Sequence, residues 1–211
     1  MCGFEEGDQD NWLITQYIST VVNGTRLPQV RVLLEYELTD CIGVLCQRTF
    51  DLLVYETSTE DNTMARNTSN YRPAMTFAPQ DVAMQNSTAN VDLTGNADGF
   101  YLALRDQTTC VLVSRVLVFY NVCPGGTVDL VMRPETLAPR FETGTVLSSS
   151  VAAECVEGAR PENGEGAQLE CFQGGTWFPV PGSGCVCGEG FSAAEDGTAC
   201  EGKLHNALNN V

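Results

Sequence analysis

The chain has 211 residues, with 27 acidic against 11 basic side chains for a net charge of −16, and it carries ten cysteines but one histidine. A surface this acidic repels nucleic-acid phosphates, whose binding depends on clustered Lys and Arg that displace counterions, so a nucleic-acid partner is excluded. His205 lies in the polar tail GKLHNALNNV and gives neither a Ser-His-Asp triad nor a Cys-His pair a usable base, which sets aside most hydrolase chemistry.

At the N-terminus, Met1-Cys2 runs into the acidic stretch GFEEGDQD, which has neither the basic n-region nor the apolar h-region of a signal peptide. The chain therefore reads as a fragment of a longer protein. Glu5, Glu6, Asp8 and Asp10 lack the Gly and terminal Glu of an EF-hand calcium loop, so they read as a solvated loop, and no metal or cofactor is expected. Trp12 to Ile18 is a strand candidate. Gln29 to Leu38 alternates at period two, with Val30, Val32, Leu34, Tyr36 and Leu38 on one face and Arg31, Leu33, Glu35 and Glu37 on the other. Thr49 to Glu56 sets Phe50, Leu52 and Val54 opposite Asp51, Leu53 and Tyr55. From Glu56 to Asp98 the composition turns to Thr, Asn, Asp, Met and Ala, and strands are expected there without clear limits. Gly99 to Arg105 alternates again, and Arg105-Asp106 reads as a strand-end ion pair. Cys110 to Tyr120 is apolar on both faces except for Ser114 and Arg115, as suits a central strand covered on both sides. No segment carries a 3.6-residue stripe, and no run approaches the roughly 18 apolar residues that cross a bilayer. The fold class that follows is all-β, an antiparallel sandwich.

From about Asn121 the texture changes through Pro124-Gly125-Gly126, and residues 124–150 read as linker, with Pro134, Pro139 and the run Ser148-Ser149-Ser150. Beyond it the chain is rich in Gly and Cys and poor in aliphatics, so its order must come from disulfides and a few aromatics, with Trp177 as a minimal core. Cysteine usage shifts in step. Cys2, Cys41, Cys46, Cys110 and Cys123 are spread over the first part, whereas Cys155, Cys171, Cys185, Cys187 and Cys200 crowd into the second. Zinc needs two paired thiolates at knuckle spacing; Cys41 and Cys46 have no second pair nearby, and Cys185-Val186-Cys187 is too close. The even count favours disulfides and an oxidising, extracellular compartment. Three glycosylation acceptors agree with it: Asn23-Gly24-Thr25, Asn67-Thr68-Ser69 and Asn86-Ser87-Thr88.

The strings NWLITQYI, RVLLEYELTDC, TFDLLVYE, GFYLALRD, TTCVLVSRVLVFY and NVCPG resemble, in order and spacing, the ligand-binding domain of Eph receptors, the ephrin receptor tyrosine kinases. Cys155, Cys171, Gly175-Thr176-Trp177 and Cys185 look like the sushi-type half of that family's cysteine-rich domain, and Cys187 to Cys200 like the start of its EGF-like half. The resemblance implies a jelly-roll domain over residues 1–123, a linker over 124–150, a sushi-like module over 151–185, the start of an EGF-like module over 186–200 and a polar tail over 201–211. It implies the disulfides Cys2–Cys110, Cys41–Cys46, Cys123–Cys171, Cys155–Cys185 and Cys187–Cys200.

In the family an apolar loop of the ephrin enters a channel on the sandwich beside these disulfides. The corresponding segments here are residues 2–11, 41–46 and 105–110, and the candidate ligand-binding residues are Asn11, Ile42, Val44, Leu45, Arg105, Asp106, Gln107 and Thr108. The implied partner is an ephrin-like membrane-anchored protein, with receptor clustering, and the implied location is extracellular, at the plasma membrane if the chain continues into a transmembrane helix. The resemblance places a kinase in the full-length receptor and no catalytic machinery in these residues. The alternative is a secreted or adhesive jelly-roll module that binds glycan or matrix. An enzyme with paired carboxylates would need two Asp or Glu facing each other across a cleft, and the spacing offers no such pair.

Overall fold

A computed structural model describes residues 10–38, 49–78, 84–107 and 111–202, and the chain divides into two compact units after Tyr120. Cys2, Cys41, Ile42, Val44, Leu45, Cys46, Thr108 and Cys110 lie outside the described residues.

The first unit contains β1 (Asn11–Ile14), β2 (Ile18–Ser19), β3 (Val21–Val22), β4 (Thr25–Arg26), β5 (Gln29–Leu38), β6 (Phe50–Thr57), α1 (Asn62–Ala65), a 3-10 turn (Thr68–Asn70), β7 (Arg72–Phe77), β8 (Gln85–Asp92), β9 (Gly99–Asp106) and β10 (Val111–Phe119). One antiparallel sheet runs β1-β9-β6-β7 with β2 also on β9, and a second runs β10-β5-β8. Their apolar faces meet as a sandwich. Val32, Leu34, Leu52, Val54 and Phe100 are fully buried, and Tyr36 of one sheet packs edge-on against Phe50 of the other at 5.0 Å, with Phe50 stacked on Phe77 at 4.9 Å. Such aromatic pairs add about 1 kcal/mol each beyond the area they bury.

The alternation in β5 appears as the sequence predicts and β6 keeps it except at Leu53, which is buried as well, but β9 differs. Its second face is buried too: Tyr101 and Ala103 join Leu53, Ala65 and Tyr71 in a separate core, with Trp12, Ile14, Tyr17 and Tyr55 packed on it. The cover is the α1 segment. Asp61 caps it, its Oδ1 accepting from the backbone N–H of Thr63 and Met64 at 2.8 and 3.2 Å, while its own N–H donates to the Tyr101 hydroxyl at 2.9 Å. Tyr71 donates to the Ala65 carbonyl at 3.0 Å, and burial pushes its phenol up to about 12. A four-residue helix leaves no periodic stripe to read, which is why the segment between Glu56 and Asp98 showed none. Gly99 is required where β9 starts, because a Cβ there would run into the Tyr17 ring and the Ile18 carbonyl.

Three expectations need correction. Trp12 to Ile18 is not one strand but β1 and β2 with a break between them. Val111–Phe119 is not a central strand: among the described residues it pairs with β5 alone, and one face stays open, with Leu112 58% and Leu117 40% exposed. Arg105 does not pair with Asp106; its partner is Asp10. Period two governs the last two, since neighbours in a strand point to opposite faces and a two-sided apolar run marks burial only where a second layer exists.

The second unit contains β11 (Val122–Cys123), β12 (Gly126–Val128), β13 (Val131–Arg133), β14 (Thr136–Leu137), β15 (Ser148–Cys155), β16 (Ala159–Pro161), β17 (Ala167–Phe172), β18 (Trp177–Pro179), β19 (Cys185–Cys187), β20 (Phe191–Ala193) and β21 (Cys200–Gly202). A five-stranded sheet runs β12-β13-β15-β17-β18, with two-stranded pairs β11-β14, β16-β19 and β20-β21 beside it. The span 124–150, expected as linker, is therefore folded. Its strands of two or three residues are too short to show a period, and Ser148, Ser149 and Ser150 pair with Phe172, Cys171 and Glu170. The small core joins Cys123, Val131, Ala167, Leu169, Cys171 and Trp177. The Trp177 indole donates to the Pro124 carbonyl at 2.8 Å. Cys123–Cys171, Cys155–Cys185 and Cys187–Cys200 are bonded, with Cα separations of 5.9, 5.7 and 5.7 Å. The β20-β21 hairpin is tied back by the Leu130 N–H, which donates to the Gly197 carbonyl at 2.7 Å.

Candidate functional site

The described part of the candidate site lies where β1 and β9 end side by side. Asn11 stands opposite Asp106 and Trp12 opposite Arg105 in the antiparallel register. Alternation then divides the set. Arg105 shares its face with Trp12, Ala103 and Tyr101, whereas Asn11 and Asp106 share theirs with Leu13 and Leu104, on the side of the sandwich interior. Gln107 is exposed just beyond the strand.

Arg105 is held from two sides. Its Nε and Nη2 donate to the two carboxylate oxygens of Asp10 at 2.7 and 3.2 Å, a bidentate pairing that bridges 95 positions of chain. Its guanidinium also lies over the Trp12 ring, 5.3 Å from the centroid, and that ring meets Tyr71 edge-on at 5.8 Å. The hydrogen bond from Arg105 holds the Asp10 carboxyl below the usual carboxylate range, and the same bond raises Arg105. Asp10 keeps 45% of its side chain exposed, so the pair fixes geometry more than it stabilises. The arrangement pins the entry to β1 against the exit of β9. Among the described residues no three of His, Cys, Asp and Glu come together as a metal site.

The sequence reading placed Asp10 in an acidic loop within the segment 2–11 and Trp12 at the start of a strand, and it missed both as partners of Arg105, because which residue stands beside Arg105 depends on a pairing 95 positions away. The glycosylation candidates are all exposed: Asn23 at the tip of the β3-β4 hairpin with φ 49°, Asn67 as the cap of the 3-10 turn, and Asn86 within β8.

A two-layer antiparallel sandwich followed along the chain by a disulfide-braced β module makes this a protein of the all-β class, built of β-domains. Within that class, residues 1–123 match the ephrin receptor ligand binding domain family, and the chain belongs to it. Ephrin type-B receptor 4 of Homo sapiens is 30% identical over 91% of this chain and 20% of the receptor. Ephrin type-B receptor 2 of Gallus gallus is 29% identical over 96% of this chain and 21% of that protein, and ephrin type-A receptor 6 of Mus musculus is 28% identical over 99% and 21%. The chain thus spans about a fifth of the length of the curated relatives it matches. The matched family is a ligand-binding rather than a catalytic one. Among the described residues no helix is long and apolar enough to cross a membrane.

Proposed function

We propose that this chain is the extracellular ligand-recognition region of an Eph-like receptor and that it binds an ephrin-like, membrane-anchored protein through an apolar channel. The observation that carries the reading is the family match over residues 1–123. The channel is bounded by residues 2–11, 41–46 and 105–110, with Asn11, Ile42, Val44, Leu45, Arg105, Asp106, Gln107 and Thr108 as contacts. Cys2–Cys110 and Cys41–Cys46 brace it. The clamp of Arg105 on Asp10 and Trp12 supports the reading, because a fixed rim lets an apolar loop enter with little ordering cost. Three disulfides in the second unit fit an oxidising exterior. Ligand occupancy then drives clustering of a full-length receptor that carries a membrane span and a tyrosine kinase beyond these residues.

The test is binding of the secreted protein to surfaces bearing ephrin ectodomains and to surfaces bearing glycans, each with wild type and Leu45→Asp. Saturable binding to ephrin that falls at least tenfold in Leu45→Asp is the expected result, since a carboxylate in an apolar channel is desolvated without a partner. Binding to glycan but not ephrin overturns the reading in favour of an adhesive module, and ephrin binding untouched by Leu45→Asp overturns the apolar channel.

A further inference from the structure

Asparagine followed by glycine occurs twice in the chain, at Asn23-Gly24 and at Asn163-Gly164. In such a pair the glycine amide can approach the asparagine carboxamide with no Cβ of its own in the way, which favours attack of one on the other. Both pairs are exposed, so exposure does not separate them. What separates them is how each is held.

At Asn163 both reacting groups are engaged. Its Oδ1 accepts from the Glu165 N–H at 2.9 Å, and the Gly164 N–H donates to the Pro161 carbonyl at 3.4 Å. Swinging the carboxamide onto the Gly164 nitrogen would give up both bonds. Asn23 and Gly24 instead form the two-residue turn between β3 and β4, with φ of 49° and 78°, closed by Val22 opposite Thr25. Positive φ at both positions matches a type I′ hairpin, whose closing bonds belong to the flanking pair and leave the two central residues to water. Among the described residues neither the Asn23 carboxamide nor the Gly24 N–H has a hydrogen-bond partner. The stem below this free tip is anchored. Arg26 donates to Asp98 Oδ1 from Nε and Nη2 at 3.0 and 2.6 Å, and the Leu27 N–H donates to the Thr20 carbonyl at 2.9 Å.

We propose that Asn23 is a site of spontaneous deamidation, and that isoaspartate formed there opens the β3-β4 turn while its anchored stem persists. The Gly24 nitrogen gives its proton to solvent and bonds to Asn23 Cγ. The Cγ–Nδ2 bond breaks, and Nδ2 takes a proton from water and leaves as ammonia. Water then opens the resulting succinimide. Opening at Cγ gives aspartate, and opening at the main-chain carbonyl carbon gives isoaspartate, whose Cβ has entered the main chain. A two-residue turn has no slack for an extra atom, so the pairing of Val22 with Thr25 is lost. Asn23 also begins the sequon Asn23-Gly24-Thr25, and a sugar on Nδ2 substitutes the amide that has to leave, so glycosylation and deamidation compete for one atom. The inference stands apart from ephrin binding, since it concerns the chemistry of the turn itself.

The test uses the full chain with Thr25→Ala, which removes the sequon and keeps Asn23-Gly24, secreted from eukaryotic cells and held folded under warm, mildly alkaline conditions. Peptides are read by mass spectrometry for conversion of amide to acid, and by labelling with protein isoaspartyl methyltransferase. Residue 23 is expected to convert at least fivefold faster than residue 163 in the folded chain, whereas the reduced, denatured chain should convert the two at similar rates. In the isoaspartate form the Val22 and Thr25 amides should exchange with deuterium faster than in the parent, with the Leu27 amide still protected. Asn23→Asp adds the charge without the extra main-chain atom and should keep the parental exchange pattern. An Asn23 that stays intact, or that converts no faster than Asn163 in the folded chain, overturns the site, and an isoaspartate form with parental exchange at Val22 and Thr25 overturns the opening of the turn.

Discussion

The two units solve the same problem with different materials. The first buries two aromatic and aliphatic cores, one between its sheets and one under the α1 segment, and its described elements hold together by side-chain packing. The second has a core of six buried residues, two of which are the sulfur atoms' own cysteines, and relies on three disulfides across strands of mostly two or three residues. The lesson is that covalent closure replaces apolar area when strands are too short to bury much of it.

The comparison can be broken at either end, and the chain supplies its own reporters, because it has two tryptophans, Trp12 in the first unit and Trp177 in the second. The largest effect is expected from Cys123→Ala with Cys171→Ala. Closing 48 positions is worth about 4 kcal/mol of denatured-state entropy, and two fully buried sulfurs are lost as well, so the Trp177 transition should vanish at 37 °C. Cys187→Ala with Cys200→Ala spans only 13 positions and should cost about 3 kcal/mol, read as a shifted Trp177 midpoint in denaturant. In the first unit, Phe50→Ala removes a ring 2% exposed that touches Tyr36 and Phe77, and a loss of about 3 kcal/mol should appear in the Trp12 transition. Asp61→Ala leaves the Thr63 and Met64 N–H groups uncapped and should cost about 1 kcal/mol, with Trp12 fluorescence reporting the loosened cover.

The smallest effect is electrostatic and concerns the site. Asp10 has its folded pKa depressed by Arg105, so its contribution is present above the unfolded value of about 3.9 and disappears as pH falls through the folded value. Asp10→Asn should therefore be less stable than wild type by about 0.5 kcal/mol near neutrality, with the gap closing below about pH 4, measured by urea titration at a series of pH values.

What the sequence disclosed follows from where burial is one-sided. Gln29–Leu38 shows a clean alternation and its faces were legible at once, whereas in Phe50–Thr57 the alternation is interrupted by Leu53, which is buried on the second face. Val111–Phe119 misled because Leu112 and Leu117 are apolar yet exposed, and hydrophobicity alone cannot report that no layer among the described residues lies above them. Residues 124–150 misled for the opposite reason: strands such as Val131–Arg133 are shorter than one readable period and are fixed by neighbours far along the chain, Val131 opposite Cys155. At the site, Arg105 was visible as a candidate, but its partner was assigned to adjacent Asp106, although adjacent residues in a strand face apart and the register brings Asp10 instead.

β9 lies between two hydrophobic layers, with Phe100, Leu102 and Leu104 buried on one side and Tyr101 and Ala103 on the other. Its backbone amides are out of reach of water unless both layers open together, so hydrogen–deuterium exchange along Phe100–Leu104 should proceed only through global unfolding. The same strand ends in Arg105, Asp106 and Gln107. The candidate recognition edge is thus an extension of a strand covered on both sides, and its register should last as long as that strand does.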